Sequence, residues 1–152
     1  MPLLPTPSEL AARARADLRV GLPVVVGSSS GIAILAAETL TASRLEAIRQ
    51  IGTLVLVITD RRAETLKARA YDGDIARLQI PDDADATWIR AVADPADDLR
   101  MPMKGPLSAQ REGEAGLHRL AIALVKSAQL LPAALVIALP DAKAFARDRN
   151  LT

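Results

Sequence analysis

The sequence predicts an α/β domain of the α+β kind, a mixed β-sheet flanked by helices, and three observations carry that reading. Short β-branched runs alternate with amphipathic stretches along the whole chain. One run, Leu54-Val55-Leu56-Val57-Ile58, is apolar at every position, as a strand covered on both faces must be. Hydrophobic residues make up 50% of 152, which is enough to build a core and suits one domain spanning residues 1–152.

The elements follow in order. Thr6-Pro7-Ser8-Glu9 offers a Thr N-cap, Pro in the first helical position and Glu at N3, so a helix starts at Pro7 and runs to about Val20, stopping at Gly21. Pro23 to Val26 is a short strand, Gly27-Ser28-Ser29-Ser30-Gly31 a turn of small residues, and Ile32 to Ala36 a second strand close behind. Thr41 caps a helix whose Leu45, Ile48 and Ile51 share a face, and Leu54 to Ile58 then forms the centre of the sheet. Thr59 or Asp60 caps a helix through Ala63, Leu66 and Ala70, before a strand from Ile75 to Ile80 and an acidic turn, Pro81-Asp82-Asp83. Asp85 caps a short helix around Trp88. Asp94 to Gly113 is rich in Pro, Gly and charge and reads mostly as loop, long enough to suggest a functional or mobile segment. A long helix carries Leu117, Leu120, Ala121, Leu124, Ala128 and Leu131 at helical spacing, followed by a strand from Ala134 to Leu139 and a polar helix from Asp141.

Composition excludes whole classes of chemistry. Without Cys there is no disulfide, thiol nucleophile or Cys-based metal centre, and the single His cannot furnish the imidazoles of a common catalytic zinc site. Carboxylate-bound Mg²⁺ is the metal chemistry that remains. A net charge of +1 with interspersed signs gives no basic field for nucleic acid, and aromatics at 2% leave no stacking platform for single strands. Leu120 to Leu139, the most apolar stretch, is broken by Lys126, Ser127, Gln129 and Pro132, so no membrane span is expected. The first residues lack the basic segment and apolar run of a signal peptide, and the expected location is cytoplasmic.

Several constellations have residue types that chemistry uses. Val24 to Ala33, a strand followed by a Gly/Ser turn, resembles the cofactor loop of short-chain dehydrogenases superficially. Ala33 stands where that loop needs Gly, however, and Tyr71 lacks the paired Lys, so a plain hairpin turn is the better reading. Asp82, Asp83, Asp85, Asp94, Asp97 and Asp98 have the oxygen chemistry for Mg²⁺ but no recognisable ligand spacing, and helix caps and solvated loops account for them. His118 has the chemistry of a general base near neutral pH, without an identified partner. Lys104, Arg111 and Arg119 flank the late loop and helix start, where they would suit a sugar phosphate or simple solvation.

Order and local motifs together resemble a known family. Ala16 to Val26, with Leu18-Arg19-Val20-Gly21-Leu22-Pro23, is similar to the opening of 3,4-dihydroxy-2-butanone 4-phosphate synthase, the riboflavin-pathway lyase. Ile34 to Thr41, containing Ala36-Ala37-Glu38, resembles its second strand. Gly52 to Leu66 resembles its next strand with the Thr-x-x-Arg-Ala-x-x-Leu continuation, and Gly116 to Ile137 resembles its long helix, Pro turn and final strand. The resemblance implies that family's fold, paired subunits and an Mg²⁺-dependent reaction on ribulose 5-phosphate.

The departures fall on the polar motifs. The family carries a Glu-Asp-Arg-Glu-Asn-Glu-Gly-Asp-like run for Mg²⁺ and sugar phosphate between its first two strands; here that place reads Gly27-Ser28-Ser29-Ser30-Gly31. The Thr-Gly-Ile-Ser phosphate motif is missing between Ile80 and Leu107. The late Gly-His-Thr-Glu-Ala motif reads Gly116-Leu117-His118-Arg119-Leu120, with Leu at the His position. Proton abstraction from a ketose phosphate needs a metal to stabilise the enediolate and a placed acid/base group.

The expectation is therefore a catalytically silent synthase-like domain, of the kind that precedes bacterial GTP cyclohydrolase II. It would have a structural, dimerising or regulatory role, form a homodimer and contact a cyclohydrolase module following Thr152. No catalytic residue and no cofactor are expected in the domain itself: zinc belongs to that following module, and Mg²⁺ only to residual synthase activity. A residual pocket is assigned to Ser28, Ser29, Ser30, Glu38, Lys104, Arg111 and His118. Two alternatives stand beside this reading, an active synthase using Glu38, Arg111 and His118, and a small-molecule binding module near Ser28 to Ser30 and Lys104.

Overall fold

A computed structural model describes residues 3–27, 29–66, 68, 70, 73–95, 109–110 and 116–151. The order of elements is α1 (Pro7–Arg19), β1 (Val24–Gly27), β2 (Gly31–Ala36), α2 (Ala42–Arg49), β3 (Leu54–Thr59), α3 (Asp60–Thr65), β4 (Ile75–Gln79), α4 (Ala86–Ala93), β5 (Ala109–Gln110), α5 (Gly116–Ser127), β6 (Ala133–Leu139) and α6 (Ala142–Arg149).

Side-chain oxygens set the helix starts. Thr6 closes a full capping box with Glu9, while Thr41, Thr59, Asp85 and Asp141 each accept the N–H three residues on. The Glu9 carboxyl is held below its ordinary value, chiefly by the Thr6 backbone N–H it accepts.

The strands form one six-stranded sheet in the order β1-β2-β6-β3-β4-β5. The α/β class holds, but the expected mixed pairing is corrected: all five ladders are antiparallel. The cause is the place of β6. Strands β2 and β3, joined through α2, run the same way but are not neighbours, because β6 lies between them antiparallel to both.

The pleat sorts side chains into two cores. Leu35, Leu56, Ile58, Leu78, Leu135 and Ile137 face α2 and α4 through Leu45, Ile48, Ile89 and Val92. Ile34, Val57, Ile75 and Val136 face α1 and α5 through Leu18, Ile122 and Val125. Helices thus cover both faces, which is why β2 is buried at every position and β3 reads as a continuous apolar run.

Several boundaries differ from the sequence reading, most by a single residue, and Ile51, expected on the face of the second helix, lies two residues past the end of α2. Helix α3 stops at Thr65 because Leu66, Ala68 and Ala70 turn inward to pack on the core instead of continuing the helix. Helix α5 ends at Ser127, with Gln129 at φ 63°, so Leu131 lies in the turn that leads into β6. Within the stretch read as loop, Ala109 and Gln110 pair with Leu78 and Arg77, two residues too few to leave a strand pattern.

Candidate functional site

The turn between β1 and β2 occupies the position at which the family resemblance places a metal and phosphate loop, and its geometry follows from two glycines. Pairing continues through Gly27↔Gly31, so the turn holds only Ser28 to Ser30. Gly27 has φ 115°, and a Cβ on Gly31 would lie 2.0 Å from the Val26 carbonyl oxygen and 2.9 Å from the Ala142 Cβ. The Ala142 N–H donates to the Ser29 carbonyl at 2.6 Å, which seats the start of α6 on the turn. Ser29 and Ser30 are exposed, and Ser28 lies outside the described residues.

The other residues of the expected pocket are dispersed. Glu38 is exposed and lies just past the far end of β2, so the six residues of that strand separate it from the serine turn, roughly 20 Å at strand rise. His118 lies in the first turn of α5, half-buried, with its Nδ1 shielded from solvent. Its neighbour Arg119 donates from Nε to both oxygens of Asp74 at 2.9 and 3.1 Å, tying α5 to the start of β4. That hydrogen bond holds the exposed Asp74 carboxyl below its ordinary value, with the opposite charge adding to it. Lys104 and Arg111 lie outside the described residues.

Of the acidic set, Asp85 accepts the Trp88 N–H at 2.8 Å and Asp94 closes the end of α4, while Asp82 and Asp83 are exposed in a turn and Asp97 and Asp98 are not described. Among the described residues no group of three or more His, Asp or Glu gathers around one point. The donors at the serine turn are hydroxyls and carbonyls without a carboxylate, and this set does not fit a resident Mg²⁺.

Two arginines that carried no role in the sequence reading tie segments of the fold together, and a third is buried in the sheet. Arg62 is 8% exposed. It donates from Nε to the Val92 carbonyl at 2.6 Å and from Nη2 to those of Ala91 at 3.0 Å and Asp94 at 3.4 Å, placing a cation on the unpaired carbonyls at the end of α4. Arg49 does the same for the turn before α4, donating to Pro81, Asp82 and Ala84 at 3.2, 2.5 and 2.5 Å. Arg77, 1% exposed in β4, shares the α5 face with Ile75. The signal for Arg77 is the alternation itself, which puts it two residues after Ile75 on a covered face.

Besides a cleft of about 190 Å³ lined by Arg49 with Glu46 and Asp85, where Asp85 is occupied as the cap of α4, two more clefts border these arginines. One of about 270 Å³ is lined by Thr59, Arg61, Arg62, Thr65, Pro95 and Pro132 among others. The other, about 210 Å³, lies by Arg49, Thr53 and Asp82. The first offers hydroxyls and guanidinium groups without a carboxylate or imidazole, and the second one carboxylate, so neither lining pairs two acid/base groups.

No protein-family profile matches the chain. Over 134 residues, 85% of its length, it is 30% identical to a GTP cyclohydrolase-2 of Azospirillum brasilense, and the match covers 34% of that protein, so the chain spans about a third of the relative's length. Among solved structures it is similar to a two-domain 3,4-dihydroxy-2-butanone 4-phosphate synthase from A. baumannii, with a TM-score of 0.68 at 14% identity over 93% of this chain and 54% of that one. It is similar also to the 3,4-dihydroxy-2-butanone 4-phosphate synthase of Candida albicans, with a TM-score of 0.65 at 18% identity over 93% and 90% of the two chains.

Proposed function

We propose that this chain, a domain with the 3,4-dihydroxy-2-butanone 4-phosphate synthase fold, belongs to riboflavin biosynthesis as a catalytically silent N-terminal domain of a GTP cyclohydrolase II polypeptide. Its relatives point to that pathway. Its role is structural, dimerising or regulatory, and it acts in the cytoplasm. No helix among the described residues is long and apolar enough to cross a membrane.

The observation that carries the reading is the closed β1–β2 turn. Enediolate chemistry on a ketose phosphate needs a metal held by carboxylates beside an acid/base group. Here the strands pair up to Gly27↔Gly31, and the start of α6 is packed against Gly31 and bonded to Ser29. A longer acidic loop would have to displace α6. The apolar framework is retained around a corner that has lost its polar chemistry.

The experiment is a calorimetric titration of Mg²⁺ into the purified protein with and without ribulose 5-phosphate. The proposal expects no saturable heat in either case. Saturable Mg²⁺ binding that requires the sugar phosphate would overturn it. The dimerising role is tested separately by light scattering, where a monomer at high concentration removes that part.

A further inference from the structure

We propose that the groove between α2 and α6 is a docking site for a partner protein, which seats one large apolar side chain there between two of its own carboxylates. The floor of the groove is apolar, built from Leu35 of β2, Ile48 of α2 and Phe145 of α6. Arg44 and Arg149 stand over it from opposite helices. Both side chains are held in place without a compensating acid. Arg44 donates to the Gly21 carbonyl at 2.7 Å, while the Arg149 guanidinium lies 4.0 Å from the centroid of the Phe145 ring and Nη1 donates to the Phe145 carbonyl at 3.5 Å. No carboxylate lines the groove, and among the described residues neither arginine is ion-paired.

Size and charge together select the occupant. The groove encloses about 110 Å³, whereas pockets for cofactors and drug-sized ligands run from about 300 to 1,000 Å³. That space suits a single anchoring side chain of the kind that dominates protein interfaces. Ile51, 40% exposed in the turn two residues past the end of α2, extends the apolar surface along one side, as a helix laid in the groove would require. Two guanidinium groups without acidic partners call for carboxylates on either side of that anchor. The inference is independent of whether the serine turn is catalytically silent.

The test uses a short helical peptide with one Leu between two Glu residues, its Gln counterpart and its Lys counterpart, titrated into the protein and followed by amide NMR. The acidic peptide should shift the amides of Ile48, Ile51 and Phe145 saturably and bind about tenfold tighter than the Gln version, the gain expected from two partly exposed ion pairs. The Lys peptide should not bind. Arg149→Glu, at an exposed position near the end of α6, and Arg44→Glu should each abolish the preference for the acidic peptide, whereas Arg61→Glu at the other cleft should leave it intact. Equal binding of acidic and Gln peptides, shifts that map elsewhere or no binding at all would overturn the proposal. So would displacement of the peptide by anilinonaphthalenesulfonate at equal affinity, which assigns the groove to small amphiphilic anions. Concentration-dependent shifts of the same amides in the protein alone would assign it to a second copy of this chain and would also refute the proposal.

Discussion

Replacing Arg62 by Met separates an architectural role for the Thr59-Asp60-Arg61-Arg62-Ala63 stretch from a substrate-binding one. Met preserves most of the buried stem and removes the guanidinium. Its contacts to the carbonyls of Val92 at 2.6 Å and Ala91 at 3.0 Å have good hydrogen-bond lengths, and that to Asp94 at 3.4 Å is marginal. Hydrogen bonds to a charged donor contribute about 1.5 kcal/mol or more each, so losing two costs roughly 3 kcal/mol. Relief of the buried charge's desolvation offsets part of that, leaving about 2 kcal/mol. With a urea slope of about 1.5 kcal/mol per molar, the unfolding midpoint should fall by more than about 1 M. Arg61→Met, one residue earlier and exposed, should move it by less than about 0.5 kcal/mol. Hydrogen exchange should show the amides at the end of α4 opening faster in Arg62→Met alone. Equal midpoints for the two variants would refute the argument that Arg62 is spent on the end of α4.

Gly31→Ala should lower thermal stability by about 3 kcal/mol, the upper part of the overpacking range, because the Val26 carbonyl and Ala142 leave no room for a Cβ; an unchanged melting temperature would show that the turn is looser than described. Leu135→Ala, which removes a fully buried side chain at the centre of the sheet, should cost about 2–5 kcal/mol in denaturant unfolding. Asp74→Asn should cost less than about 1 kcal/mol, since the pair with Arg119 is exposed and screened. The Asp74 carboxyl is held below its ordinary value, so its contribution is present above that ordinary value and is lost as pH falls through the lowered one. The gap between wild type and Asp74→Asn should therefore close in that acidic window and shrink with added salt. A gap that persists there would place the effect outside the ion pair.

Local chemistry made most of the fold legible. Thr6, Thr41, Thr59 and Asp85 are caps that announce helices before any packing is known, and the unbroken apolar run of β3 signals cover on both faces. Sheet order was not legible, because the insertion of β6 between β2 and β3 joins segments about a hundred residues apart in the chain, and no local propensity encodes it. The same gap scattered the candidate site. Glu38 and the serine turn are close in sequence, yet they lie at opposite ends of one strand. The turn itself was legible as a tight hairpin from its small residues, whereas the grip of α6 on Ser29 and Gly31 depends on a helix at the other end of the sequence. Arg62 was legible as the Arg of a family motif, but its burial and that of Arg77 were not, because arginine is a surface residue by default and its burial shows only once the carbonyls or faces it meets are placed.

Formate release from ribulose 5-phosphate with Mg²⁺, measured beside the Candida albicans synthase under identical conditions, tests the central claim most directly. The account predicts formate at background for this protein and for its His118→Ala variant alike. Sustained release by the wild-type protein that disappears in His118→Ala would show a working lyase, and would contradict the assignment of a silent domain.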